Sequence, residues 1–118
     1  MLESLPFEGT IKVRNKGVDI ALLADQNTVD LAFAASRKLV VCGVSTAVLE
    51  VTCLSPIDIR TLHSYERITP RMIALTRPVY DAVRPCLHTE QMLSLFEGQP
   101  GESAFIAAVR QRMQSNQG

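Results

Sequence analysis

Apolar and polar side chains alternate near the start of the chain and then give way to longer apolar runs. Residues 10–14 alternate, which predicts a short strand with one exposed face, as at the edge of a sheet. The segment at residues 19–25 is apolar from Ile20 to Ala24, and residues 46–54 and 72–76 are mostly apolar. A strand that is apolar on both faces is typical of a parallel sheet covered by helices, so these three runs predict core strands.

Residues between the first two core strands follow a helical pattern. Asn27 or Thr28 can cap this helix by accepting a backbone N–H, and Gly43 stands where a C-terminal glycine ends a helix. The stripe facing the core is predicted to contain Val29, Ala32, Phe33, Ser36 and Val40.

Two further helices are predicted. The sequence Ser-Pro-Ile-Asp at residues 55–58 favours a helix start, and this helix is expected to reach about Tyr65. Residues 102–113 carry a second helical stripe. Residues 78–100 give a weaker pattern, and the part at 89–98 fits either a helix or a short strand and turn.

Strands that alternate with helices predict an α/β fold with a largely parallel sheet and right-handed crossovers. We expect one domain over residues 1–118, with an extended lead-in at 1–9 and a polar tail at 114–118. The length of 118 residues suits one such domain and is short for a complete multi-domain enzyme.

Composition excludes several classes of protein. Twelve basic and twelve acidic residues give a net charge of zero, and 47% of the residues are hydrophobic, which excludes a disordered chain. The chain lacks the basic excess and aromatic pattern of a nucleic-acid-binding domain. It has no apolar run long enough to span a membrane and no basic, apolar leader.

Three scattered cysteines without a C-x-x-C pair favour free thiols, so we expect a cytoplasmic protein.

Two consecutive segments resemble the transketolase C-terminal domain. FEGTIKVRNKGVDIALLAD is similar to its start, where a short strand and a basic patch lead through x-x-G-x-D-V into the first parallel strand; the matching residues are Arg14, Lys16, Gly17, Asp19 and Ile20. The next segment of that domain has an Ala-rich helix, a glycine, a strand and P-[LI]-D, and it is similar to VDLAFAASRKLVVCGVSTAVLEVTCLSPID. The matching residues are Ala34, Ala35, Gly43, residues 48–51, Pro56, Ile57 and Asp58. The resemblance covers roughly residues 7–76.

This resemblance implies a three-layer α/β domain whose mostly parallel, five-stranded sheet has one antiparallel edge strand, residues 10–14. The family domain closes transketolases, the beta chains of 2-oxo acid dehydrogenases and deoxyxylulose phosphate synthases. The parent enzyme is therefore expected to use thiamine diphosphate and a divalent metal. In such enzymes the cofactor lies between two other domains, so we expect no cofactor and no catalysis in this domain alone.

The same resemblance implies a structural role, as a fragment or split subunit. Its partners would be a second copy, a cofactor-binding chain or upstream domains, with no nucleic acid and no membrane. The residues expected to shape the fold are Gly17, Asp19, Gly43, Pro56 and Asp58. A dimer contact would need exposed apolar side chains, for which Phe7, Val79 and Leu95 are candidates.

Catalytic and metal-binding residues are not indicated by the sequence. Cys86 and His88 form the only close Cys/His pair, and structural zinc usually needs two such pairs. Cys86 with His63 or His88 is the only thiol–base combination to consider, and no motif supports it. A buried thiol and a solvent-facing imidazole are the ordinary interpretation, so we predict no metal and no catalytic residue.

An anion site is the alternative function. Residues 56–88 carry five arginines against three acidic residues. Thr28, Ser55 and Arg77 are expected at the carboxyl edge of the sheet, where open α/β sheets bind ligands and helix N-termini favour anions. These residues would then serve a small anion- or nucleotide-binding regulatory module. The other interpretation is a set of ordinary helix caps beside solvated arginines, and the sequence leaves both open.

Overall fold

Five strands form one mixed sheet in the computed structural model, which describes residues 11–54, 57–88, 93–96 and 102–115. The strand order is β1-β3-β2-β4-β5. Strand β1 pairs antiparallel with β3, and the other pairs are parallel. The strands are β1 (Ile11–Asn15), β2 (Ile20–Ala24), β3 (Thr46–Val51), β4 (Met72–Ala74) and β5 (Leu93–Leu95). The predicted fold, with a single antiparallel edge strand, is confirmed.

Helices cover both faces of the sheet. They are α1 (Val29–Val41), α2 (Ile59–Ile68), α3 (Arg77–Val83), which continues into a 3-10 turn (Arg84–Cys86), and α4 (Glu102–Ser115). Leu62 of α2 and Val79 of α3 belong to the hydrophobic core on one face. Leu39 of α1 and Phe105 of α4 belong to the core on the other face. Successive β2 residues face alternate cores, which explains why that strand is apolar throughout.

The orientation of α1 differs from the predicted one. Its buried residues are Ala32, Ala35, Ser36 and Leu39. Phe33 and Val40, which were expected to face the core, are exposed. The two stripes overlap, because Ala32 and Ser36 are buried as predicted. The helix presents Leu39 and two alanines to the sheet, because small side chains let the helix lie close to the strands and Leu39 fills the core beyond them.

The end of α1 is as predicted. Gly43 has a φ of 86°. The N–H of Gly43 donates to Val40 O at 3.0 Å, and the N–H of Val44 donates to Leu39 O at 3.0 Å. This is the Schellman arrangement, in which glycine takes the left-handed conformation and ends the helix.

The second helix begins later than predicted. Asp58 caps it, with its side chain accepting from the N–H of Thr61 at 3.1 Å, and the helix continues to Ile68. Ser55 and Pro56 lie outside the described residues. Strand β3 is shorter than its apolar run, because its pairing with β1 and β2 ends at Val51 and Glu50. Cys53 therefore follows the strand and is half-buried.

Helix α3 was not predicted, although its capping signal is present in the sequence. The side chain of Thr76 accepts from the N–H of Val79, and Pro78 stands in the first turn. The helix is seven residues long, and Val79 on it lies in the core. The expectation that Val79 is an exposed dimer contact is therefore wrong. Leu95 is half-buried on β5, and Phe7 lies outside the described residues.

The start of β2 is held tightly against the start of β3. A Cβ on Gly17 would stand 2.5 Å from the backbone nitrogen of Ala47, so only glycine fits. The carboxylate of Asp19 accepts from the N–H of Ser45 at 2.7 Å, and the N–H of Asp19 donates to Ser45 O at 2.8 Å. These contacts give Gly17 and Asp19 the structural roles expected of them.

Candidate functional site

Loops at the carboxyl ends of the parallel strands enclose a cleft of about 250 Å3. The loop that follows β2, the end of β3 and the first turn of α3 meet there, as expected for an open α/β sheet. The residues that line the cleft are Asp25, Gln26, Asn27, Glu50, Val51, Thr52, Leu54, Pro78 and Val79. Two of them, Asp25 and Glu50, bring carboxylates to the cleft.

Asp25 organises the loop that leads into α1. Its Oδ1 accepts from the N–H of Asn27 at 3.0 Å, from the N–H of Thr28 at 2.9 Å and from the hydroxyl of Thr28 at 2.8 Å. The Thr28 hydroxyl in turn accepts from the N–H of Asp25 at 3.0 Å. The chain's own carboxylate thus stands at the positive end of α1, where an external anion would otherwise be favoured.

The sequence-predicted anion residues lie at this edge, in different surroundings. Thr28 belongs to the Asp25 loop. Arg77 opens α3 next to Pro78 of the cleft, and its Nε lies 3.5 Å from Asp81 Oδ1 on the exposed surface. Ser55 lies outside the described residues. The anion site at Thr28, Ser55 and Arg77 stays a prediction.

Glu50 is a buried acid, 5% exposed, at the inner wall of the cleft. Its Oε1 accepts from Nε of Arg14 at 2.7 Å, so the carboxylate is compensated by a cation from the edge strand. Arg14 also lines a neighbouring cavity of about 350 Å3 with Val29, Asp30 and Phe33. Glu50 was not among the candidate residues from the sequence; a lone acid inside the apolar run at residues 46–54 is the signal that could have marked it.

Cys86 has the chemistry of an unreactive thiol. Its Sγ donates to the carbonyl of Ala82 at 3.5 Å, and burial raises the pKa of the Cys86 thiol. A raised pKa disfavours the thiolate, which is the nucleophilic form. His63 contacts the carbonyl oxygen of Cys86 and not its sulfur. These contacts give no support to a thiol–base pair.

A cluster of metal-ligating side chains comes together where α2 meets the 3-10 turn that follows α3. His63 and Glu66 stand three residues apart on the helix, and His88 follows the 3-10 turn. One ligand atom from each lies within 4.8 Å of the others. His63 and His88 were considered from the sequence as possible ligands or bases, whereas Glu66 was not. The i,i+3 spacing of His63 and Glu66 was the available signal, whereas the approach of His88 depends on the tertiary structure.

Comparison with known proteins identifies the fold. No protein-family model and no curated protein matches the sequence. Among solved structures, a split-gene transketolase described as an inactive beta4 tetramer superposes with a TM-score of 0.75 and 20% identity, over 96% of this chain and 44% of that chain. A second solved structure is a 2-oxoglutarate:ferredoxin oxidoreductase from Magnetococcus marinus, with 2-oxoglutarate, coenzyme A and succinyl-CoA bound. It superposes with a TM-score of 0.73 and 12% identity, over 91% of this chain and 20% of that chain.

The fold is like that of the transketolase C-terminal domain. The chain spans less than half the length of the transketolase chain and a fifth of the oxidoreductase chain. Within the described residues, no helix has the length and apolar character needed to cross a membrane.

Proposed function

We propose that this chain is the C-terminal structural domain, as a fragment or split subunit, of a transketolase-like thiamine diphosphate enzyme. The observation that carries the proposal is the superposition of 96% of this chain on 44% of a split-gene transketolase chain. A domain that matches a part of a longer enzyme nearly end to end suits a role beside cofactor-binding domains. Cytoplasmic localisation stays a prediction.

The outer face of α1 supports a role in association. Phe33, Val40 and Val41 are exposed, with Val41 at 85%, and their spacing of seven and eight residues places them on one side of the helix. Arg37 stacks over Phe33 at 5.8 Å from the ring centroid, between these positions. An exposed apolar surface of this kind favours burial against a protein partner, which would be a second copy or a cofactor-binding chain.

The cofactor is proposed to lie in other domains. The described glycines, Gly17 and Gly43, stand at the amino edge of the sheet, away from the cleft. The cleft itself has the Asp25 carboxylate, which repels a diphosphate, whereas the Glu50 carboxylate is paired with Arg14. These features support the proposal that this domain holds neither the cofactor nor its divalent metal.

Association is tested by sedimentation velocity of the chain over a wide range of concentrations. We expect concentration-dependent self-association, which Val41→Asp weakens about tenfold or more because it places a charge in the apolar contact. Ile59→Asp is the matched control, since Ile59 is exposed on α2, on the opposite face of the sheet. Equal weakening by both variants would contradict an interface on α1.

The parent enzyme is tested by reading the coding region around this chain. An upstream extension or a neighbouring frame that encodes thiamine diphosphate-binding domains supports the proposal, and ketol transfer is then expected only when both parts are produced together. Calorimetric titration of the chain alone with thiamine diphosphate and Mg²⁺ should show no binding. Binding by the chain alone, or the absence of any such coding region, would contradict the assignment.

The anion-binding alternative stays a prediction. Its donors would include Thr28, whose N–H and hydroxyl already contact the Asp25 carboxylate. Arg77 has an acidic neighbour as well, Asp81.

A further inference from the structure

The cluster of His63, Glu66 and His88 lies where α2 meets the 3-10 turn, and its cavity shares no lining residue with the cleft at the carboxyl edge. The two imidazole rings have centroids 4.5 Å apart. His88 Nδ1 lies 3.2 Å from Glu66 Oε1. Together with Arg67, the three side chains line a cavity of about 450 Å3. Two imidazoles and a carboxylate therefore face the same open space.

The hydrogen bond of His63 prepares its ring for metal binding. His63 Nε2 lies 2.8 Å from the carbonyl oxygen of Cys86. A carbonyl can only accept, so Nε2 donates, and in the neutral form of the ring Nδ1 then keeps the lone pair that a metal requires. Metal-bound histidines usually make this same contact, from the ring nitrogen that does not bind the metal to a backbone carbonyl.

Glu66 and His88 differ in how freely they can move. The Glu66 side chain is 7% exposed, and the His88 side chain is 77% exposed. Glu66 is therefore held near its observed position, whereas His88 can rotate toward a bound ion. Metal binding would exchange the hydrogen bond between His88 and Glu66 for two coordinate bonds.

The distances suit a small transition-metal ion after a modest closure. Bonds of about 2.0–2.1 Å in a tetrahedral site place ligand atoms about 3.3 Å apart. The ligand atoms here lie within 4.8 Å of one another, so a closure of about 1–2 Å completes the site. Three protein ligands leave a fourth position open to water or another ligand.

We propose that His63, Glu66 and His88 bind a divalent transition-metal ion of the Zn²⁺ class. Imidazole nitrogen favours zinc, copper, nickel and iron, whereas calcium and magnesium prefer sites built of oxygen ligands. The positive charge of Arg67 at the cavity opposes a cation, and the Glu66 carboxylate offsets it. This site is independent of the proposed scaffold function.

The site is tested by titrating the full chain, after treatment with a chelator and under reducing conditions, with Zn²⁺ by calorimetry and with Co²⁺ by visible absorption. We expect one ion per chain and a cobalt spectrum without a thiolate-to-metal band, because the proposed ligands contain no sulfur. His88→Ala and Glu66→Gln should each weaken Zn²⁺ binding about tenfold or more, since loss of even a supporting partner of a metal ligand costs about 10–100-fold.

Two controls distinguish this site from other modes of binding. Arg67→Ala, at the same cavity, should keep or increase the affinity because it removes a cation and no ligand. Cys42→Ser, which removes the exposed thiol, should leave the affinity unchanged. No Zn²⁺ binding, unchanged binding in His88→Ala, or a thiolate band with Co²⁺ would overturn the proposal and leave a stacked histidine pair beside Glu66.

Discussion

Arg14 on the edge strand donates from its Nε to Oε1 of Glu50, one strand further in, at 2.7 Å. Glu50 is buried within β3, between apolar residues of its own strand, and it lines the cleft at the carboxyl edge. The antiparallel strand β1 therefore does more than extend the sheet. It supplies the cation that lets a carboxylate remain in the sheet beside the cleft.

Removal of Arg14 should destabilise the chain through Glu50. Arg14→Ala leaves the buried carboxylate without its cation, and we expect a loss of about 1–3 kcal/mol in the free energy of unfolding, measured with urea. Arg14 is half-exposed, so water can partly replace it and the loss stays below that of a fully buried pair. Adding Glu50→Gln to Arg14→Ala should recover part of the stability. A double variant no more stable than Arg14→Ala would contradict this explanation.

Substitution of Gly17 should disturb the start of the sheet. In Gly17→Ala the new Cβ meets the backbone of Thr46 and Ala47, which cannot move without shifting β3, and we expect a loss of about 1–3 kcal/mol. Gly43 is a matched control because nothing lies within 4 Å of a Cβ there and only its positive φ opposes a side chain.

The two glycines can be told apart with asparagine. Gly43→Asn should cost less than Gly43→Ala, since asparagine tolerates the left-handed conformation, whereas Gly17→Asn should be at least as harmful as Gly17→Ala. Urea unfolding of the four variants measures this. Equal costs for alanine and asparagine at Gly43 would count against the backbone argument.

Asp58 should contribute to stability as a helix cap. Asp58→Ala removes the acceptor for the N–H of Thr61 at 3.1 Å and for its hydroxyl at 2.7 Å, and we expect a loss of about 1 kcal/mol. Asp58→Asn keeps an acceptor oxygen and should lose less. Asp81→Ala removes an exposed acid paired with Arg77 and should change the stability by less than about 0.5 kcal/mol. Thermal unfolding that is equally sensitive to Asp58→Ala and Asp81→Ala would refute the capping role.

The thiols should differ in reactivity and in their effect on stability at high pH. Burial raises the pKa of the Cys86 thiol above its usual range, so iodoacetamide should modify the exposed Cys42 before Cys86, as read by mass spectrometry of peptides. The native state favours the protonated Cys86 thiol. This contribution to stability is complete below about pH 8.5, the pKa of an unfolded cysteine, and is lost as the pH rises through the higher folded value.

The pH effect has its own control. Cys86→Ala should lessen the decrease in stability above about pH 8.5, and Cys42→Ser should leave it unchanged. Modification of Cys86 at the rate of Cys42 in the folded chain would show that the thiol is not protected.

Titration with inorganic phosphate tests the anion site. Because Asp25 already accepts from the N–H and the hydroxyl of Thr28, we expect no saturable change in the NMR amide signals of Thr28 or Arg77. The amide of Gly43, which precedes β3 at the opposite edge of the sheet, provides the internal reference for general effects of ionic strength. Saturable changes at Thr28 and Arg77 alone would establish the alternative function.

Strongly patterned elements were predictable because the pattern itself reflects burial. Strand β2 is apolar at every position and lies covered on both faces. The alternation at residues 10–14 predicts the edge strand, which is observed at Ile11–Asn15, although Val13 is exposed there. Gly43 ends α1 because the left-handed conformation there favours glycine. Short elements carry too little periodicity, so the seven-residue α3 was missed and the three-residue β5 was left as one of two possibilities.

Local pattern and side-chain chemistry determined the class of fold, its parallel core strands, its edge strand and the glycine that ends α1. Tertiary packing decided which side of α1 faces the sheet, because neighbouring stripes of that helix are almost equally apolar. It also brought Arg14 to Glu50 across 36 residues of chain and His88 to Glu66 across 22. These long-range contacts follow from strand order and crossover connections, which set the distances between residues far apart in sequence. They leave no local sequence pattern around either contacting residue.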